Sequence, residues 1–264
     1  MKKTEQGIIT ANNLLQKDYY QIDIRLDEIP GNVKPGQFTH IQIPDFKHRI
    51  LRRPFSVFNT DPDKKTISIV YKVVGEGTKH LSTISPKTKI SVLGPLGNSF
   101  SVDQNKYPLI VAGGYGAAAT YMLAKHSEKK GTFLMGGKDV SDLILLKEFK
   151  ETGFATELAT ENGSLGHKGL VTDILKKELR KYSPEEVIVY TCGPNPMLKA
   201  ISEITSRHKI ETQVSLDEKM CCGLGACFAC VVKIKSKDGN WEYKRACKDG
   251  PVFAAEDVYW DDET

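Results

Sequence analysis

Residues 108–120, PLIVAGGYGAAAT, decide how the chain is put together. An apolar run from Leu109 to Ala112 meets Gly113, Gly114 and Gly116, and a row of alanines follows. A short apolar run that ends in glycines and passes into strong helix formers reads as a buried strand, a tight turn and the start of a helix. AAATYMLAKHSEKKG (117–131) continues the helix, and TFLMGG (132–137) supplies another strand. Further on, LVTDILKKELRKY (170–182) has Leu and Ile at helical spacing, and EEVIVYTCGP (185–194) is a strand running into a turn. Strands alternating with helices of this length predict a parallel α/β sheet over residues 101–214.

The texture differs on either side of that region. Upstream, YYQIDIRL, QFTHIQI, PFSVFNT, KTISIVYKVV and KISVLG are separated by PGNVKPG, DPDKK and SPKT. Short runs with period-2 patterning between turn signals predict antiparallel strands, so residues 1–100 are expected to form a β-barrel or sandwich. Downstream, residues 215–264 are cysteine-rich, end in the acidic EDVYWDDET, and hold few large apolar side chains. A segment of that size needs a staple to fold. The expected fold class is therefore multidomain α+β: an antiparallel barrel (1–100), a parallel α/β nucleotide-binding domain (101–214) and a small cysteine-rich domain (215–264).

Composition narrows the class without naming a function. With 40% apolar residues, 27% charged and a net charge of +4, the 264-residue chain reads as globular rather than disordered, fibrous or membrane-embedded. No run of 18 apolar residues occurs, and the lysines of MKKTEQ have no apolar stretch behind them, so a cytoplasmic location is expected.

The cysteines are more specific. Only Cys192 lies in the first 220 residues; Cys221, Cys222, Cys227, Cys230 and Cys247 crowd the end. A disulfide framework would spread its cross-links, so this distribution favours reduced thiols and a metal site. From Cys222 the spacing is C-x4-C-x2-C, with Cys247 sixteen residues further on, the plant-type pattern for a [2Fe-2S] cluster. Converging thiolates and inward-pointing backbone N–H groups require small residues with unusual dihedrals, which Gly223, Gly225 and Ala226 provide. Structural zinc also takes four cysteines, though commonly from two C-x2-C knuckles, and remains the alternative. Cys221 would leave an x5 spacing and is read as a non-ligand.

Two stretches suit phosphates. RRPFS (52–56) places guanidinium groups beside a hydroxyl, a good pyrophosphate grip, and the backbone at Gly77 and Thr78 can add N–H donors. The plain reading is a solvated strand end. GYGAAA satisfies G-x-G-x-x-A with Gly114, Gly116 and Ala119, small residues that let a helix N-terminus approach a dinucleotide pyrophosphate. The plain reading there is a tight turn, and LMGGK supplies Lys138 before Asp139 instead of an acidic strand end.

Taken in order, RRPFS, GEGTKHLS, GPLGNSF, VAGGYG and TCGPNPM resemble the ferredoxin reductase family, whose barrel carries FAD and whose second domain binds a nicotinamide dinucleotide. With CGLGACFAC and CKDGPVF added, the whole chain resembles the electron-transfer subunits of two-component, NAD-linked dihydroorotate dehydrogenase. The resemblance implies that Arg53, Pro54, Phe55 and Ser56 hold FAD, that Val70, Tyr71 and Lys72 lie along the flavin, and that Gly77 and Thr78 form the pyrophosphate turn. It likewise implies that Gly113, Gly114 and Gly116, with Cys192, Gly193 and Pro194, face NAD, and that Cys222, Cys227, Cys230 and Cys247 are the iron ligands. Departures from the family pattern fall at Tyr115, Ala119 and Thr120. His167 receives no role, and Asp217, Glu218 and Lys219 are read as solvated charges.

Nicotinamide moves a hydride, an iron-sulfur cluster moves single electrons, and a flavin does both, so FAD is expected between the other two. Nothing resembles a site for oxidising an organic substrate. The resemblance therefore implies a partner, an FMN-containing dihydroorotate dehydrogenase catalytic subunit in a heterotetramer of two plus two, with the cluster loop as contact surface. The rival expectations are a subunit of an NAD(P)H-linked ferredoxin or sulfide oxidoreductase, and a zinc-stapled, non-enzymatic binding protein.

Overall fold

A computed structural model describes residues 2–46, 50–236 and 238–260. Seven strands come first: β1 (Lys3–Gln16), β2 (Tyr19–Arg25), β3 (Phe38–Gln42), β4 (Arg53–Ser56), β5 (Asn59–Asp61), β6 (Thr66–Lys72) and β7 (Lys89–Leu96). They form one antiparallel sheet in the order β4-β3-β7-β1-β2-β6-β5. Alternating Ile and Val of β2, β3, β6 and β7 fill its interior, where Ile22, Ile24, Ile41, Ile67, Ile69 and Val92 are fully buried. Each such side chain contributes roughly 1.5–3 kcal/mol by leaving water. The sheet curls until β4 faces β6, with Phe55 edge-on to Tyr71 at 5.9 Å. Between β6 and β7 stands the short helix α1 (Glu76–Leu81), built from the GEGTKHLS segment.

The second sheet contains β8 (Tyr107–Gly113), β9 (Thr132–Gly137), β10 (Ala155–Thr160), β11 (His167–Lys168), β12 (Val187–Cys192) and β13 (Thr212–Ser215), all parallel. Helices α2 (Gly116–His126) and α3 (Leu146–Glu151) cover one face; α4 (Val171–Leu179) and α5 (Asn195–Arg207) cover the other. Burial on both faces explains why β8 and β12 are continuous apolar runs. The order β11-β10-β9-β8-β12-β13 reverses direction between β8 and β12, so the crevice outside their carboxyl ends is where such sheets bind ligands. Tyr19, Phe58 and Val70 of the barrel pack into the same buried group as Ile110, Ala117 and Leu123, which locks the two bodies together.

The cysteine-rich segment forms a hairpin, β14 (Val231–Lys235) with β15 (Trp241–Arg245), and then β16 (Val252–Ala254). β16 joins the second sheet antiparallel to β13, with Val214 opposite Phe253. The segment thus extends the nucleotide-binding sheet as well as leaning on the barrel. Among the described residues no helix is long and apolar enough to cross a membrane.

Candidate functional site

Two cavities open where the barrel meets the parallel sheet. The first, about 450 Å³, lies between β4 and β6 and is lined by Arg53, Pro54, Phe55, Ser56, Val70, Tyr71, Lys72, Gly77 and Thr78, together with Gly116 and Cys192. Every residue expected to hold the flavin therefore faces one space. Arg53 sits close to the α1 turn, since a Cβ placed on Gly77 would come within 3.6 Å of its Nε. Arg52 turns elsewhere: it donates to the Ser91 carbonyl at 2.9 Å and to Ser91 Oγ at 2.8 Å, bracing β7. Thr78 Oγ1 accepts from the backbone N–H of Val74 (2.9 Å) and Gly75 (3.2 Å), which shapes the turn.

The second cavity, about 630 Å³, sits at the carboxyl ends of the parallel strands and is lined by Gly113, Gly114, Gly136, Gly137, Lys138, Asp139, Glu161 and Pro194 among others. The glycines are required by close packing. A Cβ on Gly116 would lie 2.2 Å from the Cys192 carbonyl oxygen, and one on Gly193 would strike Met197 Cε at 2.5 Å. Gly113 and Gly114 thus line the second cavity, Gly116 and Cys192 line the first, and Gly193 holds the β12 turn against Gly113 without lining either. Cys192 is no nucleophile: burial above all, then Asp217, pushes its thiol up to about 12.

Lys72 and Tyr115 line both cavities. Lys72 Nζ lies 3.1 Å from Asp142 Oδ1, which also accepts from Tyr19 Oη at 2.9 Å, so strands of the barrel and the loop after β9 are tied at the cavity floor. Burial alone would raise the Asp142 carboxyl, but Lys72, Tyr19 and the Lys138 N–H outweigh it and hold it below the usual value. Tyr115 Oη donates to Asp217 Oδ2 at 2.9 Å. Asp217 was expected to be only a solvated charge; although exposed, it lines the first cavity and partners Tyr115 because the segment after β13 folds back over the crevice. His167 belongs to the edge strand β11, faces Asp173 at 3.8 Å, and lines neither cavity.

The thiols gather around the loop. Cys227 lies within reach of the thiols of both Cys221 and Cys222, and Cys230 faces Cys247, whose N–H is 3.4 Å from Cys230 Sγ. No disulfide joins them. Burial would raise the Cys222 thiol, yet the N–H groups of Leu224, Cys227 and Ala226 and the Cys227 thiol lower it to about 6. Burial first, then Cys230, pushes Cys247 up to about 12. The loop reaches this shape through positive φ at Gly223 (68°) and Gly225 (84°), where an L side chain would be strained. Among the described residues no three His, Cys, Asp or Glu side chains converge as one ion would need. The C-x4-C-x2-C spacing with a distant fourth cysteine suits two irons better than a single tetrahedral zinc.

The wall between cavity and cysteines is thin. Phe38 lines the first cavity and packs in one buried group with Cys230, Cys247, Leu96 and Ala246. Met220 and Pro251 also line that cavity from the cysteine-rich side. Phe38, Met220 and Pro251 were not foreseen from the sequence; only the outward phase of Phe38 in QFTHIQI hinted at a covered outer face.

Residues 217–259 match the family model of the iron-sulfur cluster binding domain of dihydroorotate dehydrogenase B. Over nearly the whole chain (97%, and 98% of the relative), the protein is 37% identical to the electron transfer subunit of dihydroorotate dehydrogenase B (NAD(+)) of Fusobacterium nucleatum. The chain belongs to this family. A relative of the same description from Caldanaerobacter subterraneus is 41% identical over 85% of the chain and 86% of its own length. Among solved structures, the NADH-dependent reduced ferredoxin-NADP oxidoreductase aligns over 96% of this chain and 90% of its own, with TM-score 0.84 and 31% identity. The cytochrome b5 reductase domain of Ulva prolifera nitrate reductase covers 79% of this chain and 94% of its own, with TM-score 0.67 and 18% identity, a likeness of fold.

Proposed function

We propose that the chain is the electron-transfer subunit of an NAD-linked dihydroorotate dehydrogenase, taking electrons from an FMN-containing catalytic subunit and delivering them to NAD+ during pyrimidine biosynthesis. The observation that carries the reading is the shared wall: Phe38 faces the first cavity and touches the buried thiol pair. The two cofactor sites share a wall formed by Phe38 and Met220, as electron transfer between them requires. When bound, the [2Fe-2S] cluster supplies one-electron exchange, FAD converts between one and two electrons, and NAD takes a hydride.

This chain's residues hold and orient these groups. Arg53, with the backbone at Gly77 and Thr78, grips the FAD pyrophosphate; Pro54, Phe55 and Ser56 on β4 and Val70, Tyr71 and Lys72 on β6 enclose the flavin. Gly113, Gly114 and Pro194 receive the nicotinamide dinucleotide at the second cavity, while Gly116 and Cys192 face the flavin side and Gly193 holds the turn between them. Cys222, Cys227, Cys230 and Cys247 would hold the two irons. The division of labour follows residues 1–100, 101–214 and 215–264. Leu224 and Phe228 are exposed on the cluster loop (47% and 58%), which supports that loop as the docking surface for the catalytic subunit. Two copies of each subunit, working in the cytoplasm, complete the assignment.

The test is direct. The purified chain is expected to show flavin and iron-sulfur absorption that NADH bleaches, and, mixed with the catalytic subunit, to support dihydroorotate-dependent reduction of NAD+. A colourless, zinc-rich preparation overturns the reading. The 31% identity to the ferredoxin-NADP oxidoreductase chain favours one second reading, a subunit of an NAD(P)H-linked ferredoxin oxidoreductase. Reduction of ferredoxin with no response to dihydroorotate would select it.

A further inference from the structure

His40, in the middle of β3, has no exposed surface, and neither of its ring nitrogens has a hydrogen-bond partner among the described residues. A buried N–H without an acceptor is costly, so a native structure that keeps one calls for a partner. The ring does not lie in the barrel interior. It shares the outward phase of β3 with Phe38, whose ring is 5.8 Å away and which packs on Cys230 and Cys247. Gly223, the residue after Cys222, rests on the ring: a Cβ there would meet His40 Cε1 at 2.6 Å and Nδ1 at 2.7 Å. In the β3–β4 ladder His40 pairs with Pro54, which lines the first cavity. The imidazole is therefore tight against the cysteine loop, on a strand whose ladder partner Pro54 lines the flavin cavity.

The acceptor that this N–H lacks is of a definite kind. In either protonation state the imidazole carries at least one ring N–H, and that donor meets no acceptor among the described residues. Cysteine thiolates and inorganic sulfides accept N–H hydrogen bonds, and such bonds raise a cluster's reduction potential by stabilising the more negative reduced state. We propose that His40 is a positioning residue that reaches from the barrel to the iron-sulfur centre, donates its ring N–H to a sulfur there, and raises the centre's potential. The inference rests on the iron-sulfur reading given above, and it assigns the barrel a part in tuning the cluster.

The experiment uses the whole chain with its iron and flavin, loading verified by iron content and visible absorption. Redox titration of the cluster followed by electron paramagnetic resonance is expected to show His40→Phe with a lower potential. A roughly tenfold change in the oxidised-to-reduced ratio at fixed potential corresponds to about 59 mV for one electron. His40→Gln, which keeps an N–H donor, is expected to recover part of the shift. Loaded variants with unchanged potentials overturn the proposal while leaving the iron-sulfur reading intact. Should neither variant load iron, wild-type protein grown with ¹⁵N-histidine decides: pulsed resonance detects ¹⁵N coupling to the reduced cluster if His40 is bonded to it, and absence of coupling overturns the proposal. Wild-type protein without iron brings down both readings together.

Discussion

The barrel and the cysteine-rich segment are stabilised in opposite ways. The barrel has a core of its own, in which Ile and Val from four strands bury one another and no residue beyond position 215 takes part. The segment after position 215 has none. Its apolar side chains are buried in three groups, one completed by Phe38 and Leu96 of the barrel, one by Leu198 and Val214 of the parallel-sheet region, and one, through Val252, shared by both bodies. One region would keep its shape if its ligand were removed; the other is held by its neighbours and by whatever its thiols bind.

The sharpest way to break that contrast is Cys247→Ala. Cys247 is buried in the group with Phe38 and Leu96, so its loss removes a ligand and opens the seam at once. Complete loss of bound iron is expected while FAD stays bound at one per chain, as measured by iron analysis and flavin absorbance. Simultaneous loss of flavin would show that the barrel is not independent.

Arg53→Ala tests the converse. Arg53 lines the first cavity beside the α1 turn and takes no part in the buried groups that hold the segment after position 215. Hydrogen bonds to a charged phosphate are worth about 1.5–3 kcal/mol, so FAD affinity should fall about 10- to 100-fold. Flavin titration of deflavinated protein measures this, and iron content is expected to stay unchanged.

Asn98→Ala addresses the seam alone. Asn98 Nδ2 donates to the carbonyls of Asp249 (3.2 Å) and Val252 (2.7 Å), and its Oδ1 accepts from the Val252 N–H at 2.9 Å. Losing three bonds at about 1 kcal/mol each should weaken attachment of the segment by about 2–3 kcal/mol. Limited proteolysis should then cut residues 215–260 sooner, with the barrel's cleavage pattern unaltered.

The same contrast decides what could be read from the sequence. The iron-sulfur character of the segment was legible because cluster chemistry demands a spacing such as that of Cys222, Cys227, Cys230 and Cys247 whatever surrounds it. The two sheets were legible because their periods of alternation follow from burial on one face or both. The joints were not. β16 is only Val252–Ala254, too short for any periodic signal, and its place beside β13 depends on the rest of the sheet. Asn98 sat within a quoted motif without an evident purpose, since its partners lie about 150 residues away. His40 reads as an unremarkable member of QFTHIQI until the cluster loop covers the outer face of β3. Tyr115 stood out as a departure from the family pattern; its place between two cavities required the fold.

The smallest expected effect concerns the floor of the second cavity. Asp142 ties Lys72 and Tyr19 of the barrel to the loop after β9, and its carboxyl is held below the ordinary value of 3.8. A depressed carboxylate contributes stability that is fully present above its unfolded pKa and is lost as pH falls through the folded one. Asp142→Asn keeps an acceptor for the Tyr19 hydroxyl but leaves the Lys72 ammonium without its counter-charge. At pH 7 the variant should therefore be less stable by roughly 1–2 kcal/mol, of the size of one charge-assisted hydrogen bond. The gap between the proteins should hold from pH 7 to about pH 4 and narrow below it, as the wild-type carboxyl takes up its proton. Denaturant midpoints measured across that range give the answer. A gap constant down to pH 2 would mean that packing, not charge, joins the barrel to the sheet at this point, and Lys72 would then be free to respond to whatever occupies either cavity.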